Sequence, residues 1–140
     1  MSNIILYGHP DSGHSYKIAL ALTLMGINYE LRIIDLSIPR AQRDAAWQLA
    51  SRFGEVPVLV TGDKNMAQSN AILLHLAREN NALGWENDSD RLTEWLFWEA
   101  NRIGLSLPNL RLYTLFNTDI DPAVIAWMHT RLYADLDRLD

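Results

Sequence analysis

Three short stretches of this chain carry groups that could do chemistry. Ser12 and His14 stand in a polar segment, Asp11-Ser12-Gly13-His14-Ser15, directly ahead of an apolar helical pattern. The first turn of a helix has N–H groups with no partner inside the helix and carries roughly half a positive charge. A hydroxyl placed there can cap the helix or donate to an anion. Gln68 and Ser69 occupy the same situation at the start of a later apolar run, where free N–H groups again favour an anion. Val56 precedes Pro57, which biases its backbone towards an extended form able to pair with another extended chain.

Other chemistries are excluded by what is missing. The sequence has no cysteine, which removes disulfides, thiolate metal sites, thiol nucleophiles and CxxC redox chemistry together. Any sulfur chemistry must therefore use the sulfur of a substrate. The four histidines, His9, His14, His75 and His129, show no HExxH or comparable ligand spacing, so no metal is expected. Seventeen acidic residues against twelve basic ones give a net charge of -5, with no Lys/Arg cluster to neutralise phosphates, which argues against nucleic acid. No apolar stretch approaches the roughly 18 residues that span a bilayer. The opening MSNIILYGHP lacks the layout of a signal peptide, so a soluble, cytoplasmic protein off the membrane is expected.

The periodicities supply the elements that must position these groups. Residues 3–7 form a short apolar β-branched run closed by Gly8 and Pro10, which predicts a buried strand. Ile18, Leu20, Ala21, Leu22, Leu24 and Met25 follow a helical period that Gly26 can end in a left-handed cap. Tyr29, Leu31 and Ile33 alternate with Glu30 and Arg32, as in a strand. Pro39 can open a second helix through Ala41, Ala45, Ala46 and Leu49. Residues 56–60 and 65–67 flank the turn Thr61-Gly62-Asp63-Lys64 as a hairpin, and Ser69 opens a helix with Ile72, Leu73, Leu76 and Ala77 on one face.

This is βαβ followed by ββα, with parallel strands joined by a right-handed crossover. Residues 80–90 read as a linker rich in Asn and Asp. One long helix, loosened near Gly104 and Pro108, follows through Leu92, Trp95, Leu96, Ile103, Leu107 and Leu110. A last helix opens at Asp121-Pro122 and continues its apolar stripe through Val124, Trp127, Met128, Leu132, Leu136 and Leu139. The tryptophans Trp95, Trp98 and Trp127 read as core or interface residues.

Four stretches make the chain resemble the glutathione S-transferase family: SGHSYKIALALTLMGINYE (12–30), GEVPVLV (54–60), QSNAILLHLA (68–77) and RLTEWLFWEANRIGLSLPNLR (91–111). They cover the chain in the family's order and spacing, and the first is similar to the serine-type subfamilies. The resemblance implies an α/β class, with a thioredoxin-like glutathione-binding domain at 1–80 and an all-α domain at 88–140. That second domain is shortened, because the family's helical domain usually continues for several more helices beyond the position of Asp140. Ser51-Arg52 also stands where the family commonly has Asn-Pro.

The resemblance implies that Ser12 is the catalytic residue, donating a hydrogen bond to the glutathione thiolate, with Ser15 and Tyr7 as competing donors. It further implies that Ser12, His14, Val56, Pro57, Gln68 and Ser69 bind glutathione, with a cis bond at Pro57. Glu55 could meet the ligand's ammonium. The expected activity is conjugation of glutathione, a co-substrate with no further cofactor, to small hydrophobic electrophiles by a homodimer. A non-catalytic binding or dimerisation module and a glutathione-dependent peroxidase are the alternatives. A disulfide reductase is disfavoured, since the chain cannot form a mixed disulfide.

Overall fold

The computed structural model describes residues 4–116 and 119–139; the expected strand start at Asn3 and the final Asp140 lie outside them. The chain divides into two compact units, one running to Ser89 and one starting at Asp90. In the first, β1 (Ile5–Gly8), α1 (Gly13–Leu24) and β2 (Glu30–Ile33) are followed by a single 3-10 turn (Arg40–Gln42) and α2 (Ala45–Ala50). The hairpin β3 (Val58–Thr61) and β4 (Lys64–Ala67) then leads into α3 (Ser69–Asn80). β1 pairs in parallel with β2 and antiparallel with β3, which pairs antiparallel with β4, in the order β2-β1-β3-β4. This is the expected thioredoxin-like arrangement.

Side-chain alternation in the two central strands divides the core. Leu6 and Leu59 face Ile18 and Leu22 of α1 and Ile72 and Leu76 of α3. Tyr7 and Val58 face the other way, onto Trp47 of α2 and Ile34. Each such fully buried side chain contributes about 1.5–3 kcal/mol, so α1 and α3 are fixed on one face of the sheet and α2 on the other. Tyr7, Val58 and Ala67 lie abreast across the strands. The end of β1, the start of β3 and the end of β4 therefore share one end of the sheet.

Two local features follow the sequence. Gly26 takes a left-handed φ of 66°. Its N–H and that of Ile27 close α1 on the carbonyls of Thr23 and Leu22, as an apolar helix ending in glycine should. Gly62 likewise adopts a positive φ of 59° in the hairpin turn, where Thr61 pairs with Lys64.

Two other features differ from expectation. The second helix is not continuous from Pro39: it breaks at Arg43, whose backbone is extended, and restarts because the Asp44 carboxylate accepts the Trp47 N–H at 2.7 Å. The restart turns Trp47 into the core at 0 % exposure and leaves Leu49 at 89 %. In β2 the alternation marks a strand but not its buried face. Leu31 and Ile33 are exposed on this edge strand, while Arg32 lies over the Tyr7 ring and is bonded to Glu30 at 2.7 Å.

The second unit contains α4 (Ser89–Asn101), α5 (Ile103–Phe116) and α6 (Pro122–Leu136), with Asp121 capping α6 through the Ala123 N–H at 2.8 Å. The expected long helix is interrupted at Arg102, and Pro108 is carried inside α5. At the break Gly104 passes so close to Glu99 that a Cβ would lie 3.1 Å from the Glu99 carbonyl oxygen. Leu110, Met128 and Leu132 form the core of this unit. Trp95, Leu107, Val124, Trp127, Leu136 and Leu139 of the expected stripes are each 40 % or more exposed. Among the described residues no helix is long and apolar enough to cross a membrane.

Arg102 at the break reaches the fully buried Asp135 carboxylate of α6 through Nε at 2.8 Å and Nη2 at 2.7 Å. Removing the cation strands a buried charge, whereas a neutral amide at 135 still accepts from Arg102. Arg102→Ala is therefore expected to cost about 3–5 kcal/mol and Asp135→Asn distinctly less. Urea unfolding of the two variants checks this, and equal losses would contradict it.

Candidate functional site

Three chain segments meet at the shared end of the sheet. The first is the start of α1. Ser12 is extended, with φ -88° and ψ 110°, and its hydroxyl oxygen accepts the Ser15 N–H at 3.2 Å, so it caps the helix. A hydroxyl that accepts in this way still has its hydrogen to donate. Ser15 is placed elsewhere: it is buried beside β1, where its Oγ accepts the His9 N–H at 3.2 Å and a Cβ at Gly8 would come within 3.1 Å of its side chain. Tyr7 is also buried, with its hydroxyl accepting from Arg32 Nη1 at 3.3 Å. Of the three candidate donors only Ser12 lines the cleft described below.

The second segment is the loop into β3. The Val56-Pro57 bond is cis, and Val56 lies two residues ahead of Val58, the first paired residue of β3. The loop is held from behind by Ser51, buried at the end of α2. Its hydroxyl accepts the Glu55 N–H and donates to the Glu55 carbonyl, both at 3.1 Å. Gly54 has a φ of 73°, a left-handed backbone that favours glycine, and the Arg40 guanidinium lies over it where a Cβ would project.

The third segment is the start of α3. Gln68, not Ser69, is the residue at the N-cap; its φ of 70° is costly for a side chain other than glycine. Its side chain makes no capping bond and instead donates from Nε2 to Glu55 Oε2 at 3.0 Å. Ser69, also buried, has its Oγ 3.3 Å from His14 Nδ1. Ser12, Asp44 and Asp121 all cap their helices with side chains. At α3 the residues that could do so are turned elsewhere, and no acidic residue occupies its first turn.

These segments enclose an open cleft of about 480 Å³ lined by all six residues expected from the sequence, Ser12, His14, Val56, Pro57, Gln68 and Ser69. His14 is half-buried in the first turn of α1. Leu36 and Arg43 also line the cleft and were not anticipated. Arg43 donates from Nε to the Ile38 carbonyl at 3.1 Å and from Nη2 to the Leu36 carbonyl at 3.0 Å, with its guanidinium over the Trp47 ring. Beside Leu36, the hydroxyl and N–H of Ser37 hold the Asp35 carboxyl below its ordinary range. Among the described residues no group of three or more His, Asp or Glu is arranged to hold a metal. Chemically, the cleft offers two helix starts, two hydroxyls, one imidazole, the Val56-Pro57 backbone, one cation and one carboxylate.

Comparison with known proteins places these features in a family. Residues 2–78 match the family model described as the glutathione S-transferase N-terminal domain. A glutathione S-transferase of Dirofilaria immitis is 32% identical over 117 residues, covering 82% of this chain and 52% of that protein. The chain thus spans about half the length of the curated relative it matches. Among solved structures, apo human glutathione S-transferase T1-1 superimposes with a TM-score of 0.79 at 25% identity, over 99% of this chain and 62% of that one. Ure2p in complex with glutathione gives 0.83 at 17% identity, over 99% and 61%. The nitrogen regulation fragment of the yeast prion protein Ure2p gives 0.85 at 19%, over 98% and 65%; at these identities the likeness is one of fold.

The clamp on Glu55 is open to a direct check. Ser51→Ala removes both bonds between the buried Ser51 hydroxyl and the Glu55 backbone, at a cost of about 0.5–1.5 kcal/mol for each. Faster hydrogen exchange at the Glu55 amide, together with a lower urea midpoint, is the expected result.

Proposed function

The chain belongs to the glutathione S-transferase family, and on that premise we propose that its cleft binds glutathione and holds the thiol as a thiolate for attack on small apolar electrophiles. The carrying observation is that Ser12, Val56-Pro57 and the uncapped start of α3 line one cleft. A free thiol has a pKa of about 8.5, so a working thiolate at neutral pH needs help. Lowering that value by about two units takes about 2.7 kcal/mol. A hydrogen bond to a charged group is worth about 1.5–3 kcal/mol, and a helix N-terminus adds about 0.3–1 kcal/mol. One hydroxyl at the start of α1 therefore suffices.

In this reading the α3 start takes the γ-glutamyl carboxylate, the Val56 backbone pairs with the cysteinyl residue, and the Ser12 hydroxyl donates to sulfur. Glu55 faces the ligand's ammonium. The thiolate sulfur forms a bond to the electrophilic carbon, the leaving group departs with the bonding pair, and the thiol proton passes to solvent. Pairing of two copies and a cytoplasmic setting belong to the same proposal and are supported by the resemblance alone. The fold likeness to the Ure2p regulation fragment favours a second reading, a module that binds glutathione without turning it over.

Isothermal titration of glutathione, with ultraviolet titration of the bound thiol, separates the readings. Wild type is expected to bind at millimolar ligand and to show thiolate at neutral pH. Ser12→Ala should keep binding, lose the thiolate signal and slow conjugation about 100-fold. Ser12→Gly, which costs the helix cap only a few tenths of a kcal/mol, controls for folding. Binding with an unshifted thiol in wild type would select the non-catalytic module, and absence of binding would sink both readings.

A further inference from the structure

Two polar ties run side by side between the N-terminal ends of α1 and α3. His14 Nδ1 lies 3.3 Å from Ser69 Oγ, and Lys17 Nζ donates to Asn70 Oδ1 at 2.6 Å. His14 and Lys17 are one helical turn apart on α1, and Ser69 and Asn70 are the first two residues of α3, so the ties are adjacent rungs. Below them Ile18 and Leu22 pack on Ile72 and Leu76. That apolar contact holds the helices together but is non-directional and fixes no orientation for a hydroxyl.

A serine in the first turn of a helix ordinarily turns its hydroxyl back onto local backbone groups. Here Ser69 is buried, and its hydroxyl is engaged across the cleft with His14, while the Gln68 side chain is drawn to Glu55. The sign of the second rung agrees. An ammonium beside a helix N-terminus is unfavourable for the helix itself but raises the local attraction for an anion.

We infer that His14 is a positioning residue: it holds the Ser69 hydroxyl and sets the α3 start relative to Ser12, two residues before it on α1. It does so without touching the reacting sulfur. The inference rests on the glutathione reading for its ligand and on the His14–Ser69 contact for its geometry. Loss of His14 then weakens ligand binding through Ser69 and leaves turnover of bound ligand almost unchanged, so KM rises while kcat holds.

The test is a double-mutant cycle on the full chain, read by isothermal titration of glutathione, by the kcat and KM split with 1-chloro-2,4-dinitrobenzene, and by NMR of the His14 ring nitrogens. One hydrogen bond corresponds to about a three- to tenfold loss of affinity. His14→Ala and Ser69→Ala should each show that loss, and the double variant no more than the larger single one. His14→Asn, which places a polar atom near the position of Nδ1, should recover affinity to within about twofold of wild type. Losses that multiply in the double variant, a fall in kcat in place of a rise in KM, or no loss in His14→Ala would overturn the inference. If wild type binds no glutathione the ligand reading falls, and the ring resonances decide alone. A shift on Ser69→Ala sustains the tie, and unchanged resonances overturn it.

Discussion

The structure of the first unit depends on one constraint: α1 and α3 must bury their apolar stripes on the same face of a four-stranded sheet. β4 runs in the same direction as β1, because each is antiparallel to β3. Helices that follow parallel strands and pack on one face begin at the same end of the sheet. β3, running the other way, starts at that end too. Ser12, Val56-Pro57 and Gln68-Ser69 are thus brought together by hydrophobic packing and strand order before any polar contact is made. The cleft is a consequence of topology, in the manner of ligand sites at the strand ends of open α/β sheets.

Polar contacts then decide what the cleft presents. Unpaired N–H groups at a helix start are normally met by side chains. α1 spends the Ser12 oxygen in this way and keeps the hydroxyl hydrogen available. α3 leaves its start open, with Gln68 bonded to Glu55 and Ser69 to His14. The unfavourable backbone of Gln68 is tolerated at the point where the chain must turn from β4 into this open helix start. Ser51 holds the loop ahead of Val56 by two hydrogen bonds to Glu55, and Gly54 supplies the left-handed turn that the loop takes there.

Much of this was legible in the sequence. Short-range signals identified β1, α1 with its glycine cap, the hairpin and α3, and resemblance added the six cleft residues and the cis proline. Misreadings arose where a tertiary contact overrode a local pattern. The stretch from Pro39 to Leu49 carries a continuous helical signal, yet the Asp44 cap restarts it so that the larger Trp47 is buried and Leu49 is not. That break also carries Arg43 into the cleft, which no periodicity could indicate. Ser51 looked like a departure from the family pattern, and its value lies in a bond to Glu55 four residues on. In the second unit the interruption at Arg102 falls beside Gly104, one of the two positions where loosening was expected, while Pro108, the other, is carried inside α5; the bond of Arg102 to Asp135 and the close approach of Gly104 to Glu99 coincide with the break. The apolar stripes of that unit show periodicity without showing which residues another surface covers.

The central claim is that the starts of α1 and α3 and the Val56 edge act as one glutathione site. Amide NMR during a glutathione titration tests it most directly. The account predicts that the resonances of Ser12 to His14, Val56 and Ser69 to Asn70 move together with a single saturation curve, while the β3–β4 turn at Gly62 stays still. Saturation at different concentrations for the three segments, or movement confined to residues outside them, would contradict it.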